Sequence, residues 1–287
     1  MTQTEEPVTG AGADAGVDAG ADAGADAGDL TRAVADAAVA ARVRGRRVLV
    51  TGAASGIGRD IATALRLAGA QVLGVDRDLG DPAAPCFQAD LATREGNEAA
   101  VAEAQRRLGG LDALVPCAGF QSVQAVPDFD PEVFDRLLAV MLTSPFLLAR
   151  AAWPALTGRA GGRYVAVASA HALVASPYKA GYVAAKHGLL GLVKTLALEG
   201  APHGLSATAV CPGFVRTPLL AGQLAAQAER TGVPESDVLH EVILAPHAVK
   251  RLVESAEVVL AVLFLLGPGG AMATGSPLVI DGGWTAR

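Results

Sequence analysis

The apolar run Arg47-Val48-Leu49-Val50-Thr51 turns without a spacer into Gly52-Ala53-Ala54-Ser55-Gly56-Ile57-Gly58, and a helical pattern follows through Ala68. Such a run reads as a buried strand, and glycines at its end permit the sharp turn that feeds a helix. In that context backbone N–H groups converge at a helix N-terminus, where a pyrophosphate can be held. The alternation continues along the chain. Strands are predicted at Gln71 to Val75, Phe87 to Leu91, Leu111 to Val115, Arg163 to Ser169, Leu205 to Val210 and Leu278 to Ile280. Helices are predicted at about Thr93 to Leu108, from Asp130-Pro131 towards Leu156, around Tyr182 and Lys186 to about Glu199, and at Ser255 to Leu266. Strands that alternate with helices form one parallel sheet covered on both faces. The predicted fold class is therefore α/β, a doubly wound parallel sheet.

Ligands bind such sheets outside the carboxyl ends of the strands. Gly52 onward, Asp76, Ala118-Gly119, Ser169 and Pro212-Gly213 all fall at those ends. Asp76 can accept bonds from the hydroxyls of an adenosine ribose and would repel a 2′-phosphate, although Arg77 follows it directly. The simpler role for an aspartate there is a strand-end turn. Tyr182 and Lys186 lie one turn apart on one helix face. The expectation is that the ammonium favours the phenolate and lowers the phenol pKa from about 10 toward working pH. Tyr182 would then give and take the proton of an alcohol/ketone pair. A Tyr-x-x-x-Lys pair alone is equally at home on a solvated surface; its company at the strand ends points to chemistry.

The formal charge of −6 is unevenly spread. Seven of the 29 acids fall within 1–29, where there is no Lys or Arg, so 22 acids face 23 bases in the rest. A near-neutral body offers no nucleic-acid surface. Residues 10–29 repeat Ala-Asp-Ala-Gly. Side chains that small bury too little to offset the entropy of ordering, so 1–29 is expected to be a disordered acidic tail, followed by a linker or short helix over 30–45. The tail lacks the basic and apolar regions of a signal peptide. The ordered domain is predicted over 46–287, with about 217–250 forming a small helical lid over the site. Cys86, Cys117 and Cys211 form no Cys-x-x-Cys pair and no metal spacing with the five His, which suits reduced thiols in the cytosol. The longest apolar run, Val258 to Leu266, is far short of the ~20 residues that cross a bilayer, so neither a membrane nor a metal is expected as a partner.

Taken together, these motifs resemble those of the short-chain dehydrogenase/reductase family. Thr51 to Gly58 matches its Thr-Gly-x-x-x-Gly-x-Gly turn; Ser169, Tyr182 and Lys186 match its catalytic residues; Pro212-Gly213 matches the pair after its sixth strand. The match spans about Arg46 to Arg287. Within the family, the chain is similar to bacterial D-3-hydroxybutyrate dehydrogenases at Ala118 to Gln121, Ser169 to Ser176, Lys179, Tyr182 to Gly188, Arg216 to Leu219 and Asp281 to Arg287.

The resemblance implies a single Rossmann-type domain, NAD as cofactor, and a homotetramer in the cytoplasm. It implies NAD contacts from Gly52, Ser55, Gly56, Ile57 and Gly58, from Asp76, from Asp90 and Leu91, and from Cys117, Ala118 and Gly119. Further contacts come from Tyr182 and Lys186 and from Pro212, Gly213, Val215 and Thr217. The substrate, a small hydroxy or keto acid, would meet Ser169, Tyr182 and Phe214, with its carboxylate held by Gln121, His171, Lys179 and Gln223. The latter four are chemically suited, since lysine and histidine supply charge-assisted donors and glutamine amide donors. The chain departs from the family in three places: Pro116-Cys117 replaces Asn-Asn, Phe214 replaces a Trp, and Met141 stands at the position of a catalytic Asn. In the family that Asn is thought to break a helix and free a backbone carbonyl for a relay water. Proline has no N–H for the carbonyl four residues back, so Pro145 is expected to free the carbonyl of Met141 instead. The implied reaction is interconversion of (R)-3-hydroxybutyrate and acetoacetate. The alternatives are a related dehydrogenase for another hydroxy acid or alcohol, or an NAD-binding scaffold with impaired turnover.

Overall fold

The computed structural model describes residues 43–81 and 86–286. The tail over 1–29 and most of the 30–45 linker lie outside the described residues, as does Arg287. The elements follow the order β1 (Arg47–Thr51), α1 (Gly56–Leu67), β2 (Gln71–Asp76), β3 (Phe87–Gln88), α2 (Arg94–Leu108), β4 (Ala113–Val115), α3 (Pro131–Leu138), α4 (Ser144–Thr157), β5 (Arg163–Val167), α5 (Ala180–Gly200), β6 (Ser206–Pro212), α6 (Pro218–Thr231), α7 (Ser255–Leu266) and β7 (Pro277–Ile280). The seven strands pair in parallel in the order β3-β2-β1-β4-β5-β6-β7, the doubly wound sheet read from the sequence.

Strand alternation sorts the core into two layers. Val48 and Val50 of β1 pack with Ile61 and Leu65 of α1 and Val258 and Val262 of α7 on one face. Leu49 points the other way, toward Val101 of α2, Leu148 of α4 and Val193 of α5. Burial on both faces is why these strands read as continuous apolar runs rather than alternating ones. Across the first layer, Ser255 Oγ of α7 donates to Asp60 Oδ2 of α1 at 2.6 Å, and Arg59 reaches Asp60 Oδ1 at 3.1 Å. That ties together two helices distant in sequence.

Boundaries shift from the prediction where side chains take over from the ladder. Phe87 to Leu91 is strand only over Phe87–Gln88, because Asp90 Oδ1 accepts from Ala92 N at 2.9 Å and turns the chain into α2. Thr93 caps α2 by accepting from Gly96 N at 3.0 Å. Asp130 caps α3 as expected, accepting from Glu132 N at 2.9 Å with Pro131 in the first helical position.

The helix predicted to run on from Asp130 does so for 27 residues, Pro131–Thr157, but not as a regular α-helix. A π turn, Ala139–Thr143, separates α3 from α4, and Met141 sits at its centre. Pro145 explains its position: the N–H that would bond the Met141 carbonyl does not exist, and the ring crowds that turn. A latch fixes the distortion, with Ser144 Oγ donating to Asn97 Oδ1 at 2.6 Å while Asn97 Nδ2 holds the carbonyls of Leu91 and Thr93. By length and composition Pro131–Thr157 is apolar enough to cross a membrane, yet Leu148, Ala149, Ala152 and Leu156 are spent on the core beneath the sheet.

After β6 the chain leaves the sheet to form α6 and a second π turn, Val238–Ile243, closed on a small core of Leu220, Val238, Leu239, Ile243, Leu244 and Leu252. This is the segment read as a lid. Replacing Asp60 with Ala strands the buried Ser255 hydroxyl and is expected to cost about 2–3 kcal/mol, read as a lower urea midpoint at unchanged slope. Ser255→Ala should cost less, because Asp60 keeps Arg59.

Candidate active site

The strand order reverses between β1 and β4, and the loops leaving those two strands touch. Gly52 adopts φ +68, and a Cβ there would lie 2.8 Å from the Cα of Ala118. A Cβ on Gly58 would collide with the Gly52 carbonyl. Thr51 Oγ1 locks the contact by accepting from Cys117 N at 3.0 Å and Ala118 N at 3.1 Å. Ser55 precedes α1 without a side-chain capping bond, so the first N–H groups of the helix keep no side-chain partner. That is the form an anion-binding turn requires. Beside it, Asp76 accepts from Ala54 N at 3.0 Å and from Asp78 N at 3.3 Å. Arg77 turns outward, 3.9 Å from Asp78, with most of its side chain in solvent. Asp90 lies 3.7 Å from Arg136, a cavity residue that the sequence reading did not single out.

At the other end, β5 and α5 bring Ser169, Tyr182 and Lys186 together. Tyr182 hydrogen-bonds Ser169, and the Lys186 ammonium lies 5.6 Å from the centre of the Tyr182 ring. The expected charge effect is not what governs the pair. Burial pushes the Tyr182 phenol up to about 12, against a smaller lowering by the Ser169 hydrogen bond. Burial also pulls Lys186 down to about 8, and its Nζ donates to the Val167 carbonyl at 2.9 Å. Spacing placed the lysine correctly, but desolvation outweighs its attraction for the phenolate.

Lys179 is delivered by a strained residue. Tyr178 has φ 66, unusual for a bulky side chain, and its carbonyl accepts from Gln124 N at 2.9 Å. The Lys179 side chain, only 1% exposed, donates to Gln223 Oε1 at 3.1 Å and sits 4.7 Å over the Phe214 ring. Burial lowers its pKa to about 8. His171 is buried beside it, with Nε2 2.9 Å from Ser176 Oγ. Burial first, then the charges of Lys179 and His187, push the imidazole down to about 3, so it is neutral.

An aromatic wall backs these groups. Trp284 stacks on Phe214 and on His247 with centroids 5.4 Å from each, and meets His171 edge-on at 5.0 Å. No sequence motif singles out Trp284 or His247, because residues 171, 214, 247 and 284 are too far apart in sequence for any local pattern to join them. Met141 is buried under Gly119, where a Cβ would come within 3.0 Å of its sulfur. Every cofactor and substrate residue named from the sequence, and Met141, lines one cavity of about 550 Å³.

A family model described as Enoyl-(Acyl carrier protein) reductase matches residues 52–285, and relatives that carry the dehydrogenase names align over most of the chain. A D-beta-hydroxybutyrate dehydrogenase of Rhizobium meliloti is 39% identical over 84% of this chain and 99% of its own length. The chain belongs to the short-chain dehydrogenase/reductase family. A D-beta-hydroxybutyrate dehydrogenase of Cupriavidus necator is also 39% identical, over 85% of this chain and all of that one. The ligand-free aldohexose dehydrogenase of Thermoplasma acidophilum superposes with a TM-score of 0.77 at 28% identity, covering 85% of this chain and 96% of its own. Dehydrogenases of this family use nicotinamide cofactors, and the glycine turn, the uncapped start of α1 and Asp76 fit such a dinucleotide. Gly58→Ala forces the turn apart and is expected to weaken dinucleotide binding at least about tenfold in titration calorimetry.

Proposed function

We propose that this chain is an NAD-dependent dehydrogenase of small 3-hydroxy acids, interconverting (R)-3-hydroxybutyrate and acetoacetate. The observation that carries the reading is the acid-free end of the cavity. Segments after β5 and β6 bring Lys179, His171 and Gln223 to it, Gln121 follows β4, and among the described residues no carboxylate lines that end. A buried ammonium with only an amide and a ring for company favours an anionic ligand. The names of the two hydroxybutyrate relatives support the same substrate.

In this reading the substrate oxygen meets Tyr182 and Ser169, and Tyr182 moves its proton. Lys186 would hold the nicotinamide ribose. The bound nicotinamide supplies the hydride chemistry. A phenol held neutral by burial is a ready donor for reduction, and oxidation gains as pH rises and the phenolate becomes accessible. Pro145 and the π turn stand in for the family's Asn, leaving the Met141 carbonyl without its usual helical donor. Apolar side chains exposed on and after the outer helices, Phe146, Leu198, Phe264 and Met272, support a homotetramer.

The decisive assay is NAD reduction with (R)-3-hydroxybutyrate against neutral alcohols of similar size. The acid is expected to be favoured about a hundredfold in kcat/KM. Lys179→Ala should raise its KM strongly and leave neutral alcohols unaffected. Because the Lys179 charge is present below about pH 8 and lost above it, KM for the acid should climb above that pH in the native enzyme. Equal losses on acid and alcohol would overturn the carboxylate reading, and no turnover on any of them would leave the scaffold. Asp76 generates a separate expectation: NAD is preferred over NADP, and Asp76→Ala relaxes that preference while turnover with NAD survives.

A further inference from the structure

The hydrogen bonds around Ser169 continue beyond the pocket. Ser169 Oγ accepts from the His171 backbone N–H at 3.1 Å, bonds the Tyr182 hydroxyl, and lies 3.4 Å from His171 Nδ1. On the far side of the same ring, His171 Nε2 is 2.9 Å from Ser176 Oγ. Ser176 is half-buried between the exposed Ala175 and Pro177, and it is not part of the cavity lining. Four groups therefore stand in line from the reacting phenol to the surface.

We propose that Ser169, His171 and Ser176 form a proton path between Tyr182 and solvent, with His171 and Ser176 acting through Ser169. The inference rests on the reading of Tyr182 as acid and base. After Tyr182 takes the substrate's hydroxyl proton, it passes a proton to Ser169 Oγ. Ser169 gives its own to His171 Nδ1, and His171 releases the one on Nε2 to Ser176 and so to water. One O–H or N–H bond forms for each that breaks, one proton leaves, and no electrons move. A neutral imidazole is the form that can do this, because one nitrogen accepts while the other donates. His171 is held neutral by its burial. Its ring plane is set by edge contacts with Tyr182, Phe214 and Trp284.

The line also has a polarity that suits both ligands. With the Ser169 proton on the His171 side, Ser169 accepts from an alcohol. After a proton has passed, the Ser169 hydrogen faces the pocket and donates to a ketone oxygen. Exchange of ketone for alcohol, rotation of the Ser169 hydroxyl and return of the imidazole to its Nε2-protonated tautomer restore the first arrangement between turnovers.

Ser176 tests the path because it lies outside the cavity. Ser176→Ala is expected to lower kcat about three- to tenfold and enlarge the solvent deuterium isotope effect, with KM for acid and NAD within about twofold. Ser176→Thr, which keeps a hydroxyl, should restore both. In His171→Ala, added imidazoles should rescue turnover with a rate that rises with their basicity. Native kcat and isotope effect in Ser176→Ala, a change confined to KM, or rescue independent of imidazole basicity would each overturn the path. Tyr182→Phe, measured alongside, separates the two levels. Surviving turnover there removes the acid/base reading itself, whereas an inactive Tyr182→Phe beside a native-like Ser176→Ala removes only the path.

Discussion

The site depends on one close approach, that of the Gly52 backbone to Ala118. The sheet reverses its strand order between β1 and β4, so the loops leaving these strands must diverge to opposite faces. They can do so only from a common point, and a side chain on Gly52 would fill it. Thr51 closes the contact with two backbone N–H groups of the neighbouring loop. From this point the crevice widens in two directions, toward Asp76 on the β2 side and toward Ser169 and Tyr182 on the β5 side. The parallel register sets the depth of the remaining loops. Val167 and Val210 end the β5–β6 pairing together, which brings the residues after both strands to one level.

What could be read in the sequence was whatever is local. The glycine turn, the Asp130-Pro131 helix start and the limits of Ser255–Leu266 each depend on neighbours a few residues away, and each is found where it was expected. Pro145 belongs to this class too, because its missing N–H acts within a single turn and marks the π turn around Met141. Strand ends were less legible. Asp90 ends β3 early through its own side chain, a choice that apolar patterning does not encode.

The electrostatics were legible in position but not in balance. Four residues of helix suffice to set Lys186 beside Tyr182, but only the fold shows how little water reaches either. Burial raises the phenol and lowers the ammonium, so both groups move toward neutrality rather than toward an ion pair. This is the usual response of a site that excludes solvent around groups with few charged partners. The aromatic wall was illegible for a different reason. Phe214, His247, Trp284 and His171 meet only because β6, the segment after α6, the chain end and the β5–α5 loop converge in space.

Two buried lysines with the same depressed pKa divide the work by their partners. Lys186 Nζ donates a hydrogen bond to the Val167 carbonyl, a partner within the protein on the backbone of β5. Among the described residues, Lys179 meets the Gln223 amide and the face of Phe214. A fall from 10.5 to about 8 corresponds to roughly 3 kcal/mol withheld from its charged form. A carboxylate entering the cavity supplies the missing countercharge and recovers part of that energy, while a neutral alcohol of the same shape recovers none. In the proposed reading, energy of this size translates into about a hundredfold discrimination, at the upper end of what one methylene's packing provides in an apolar pocket. In the proposed reading, the Phe214 and Trp284 wall shapes the substrate, while the Lys179 ammonium selects for an acid.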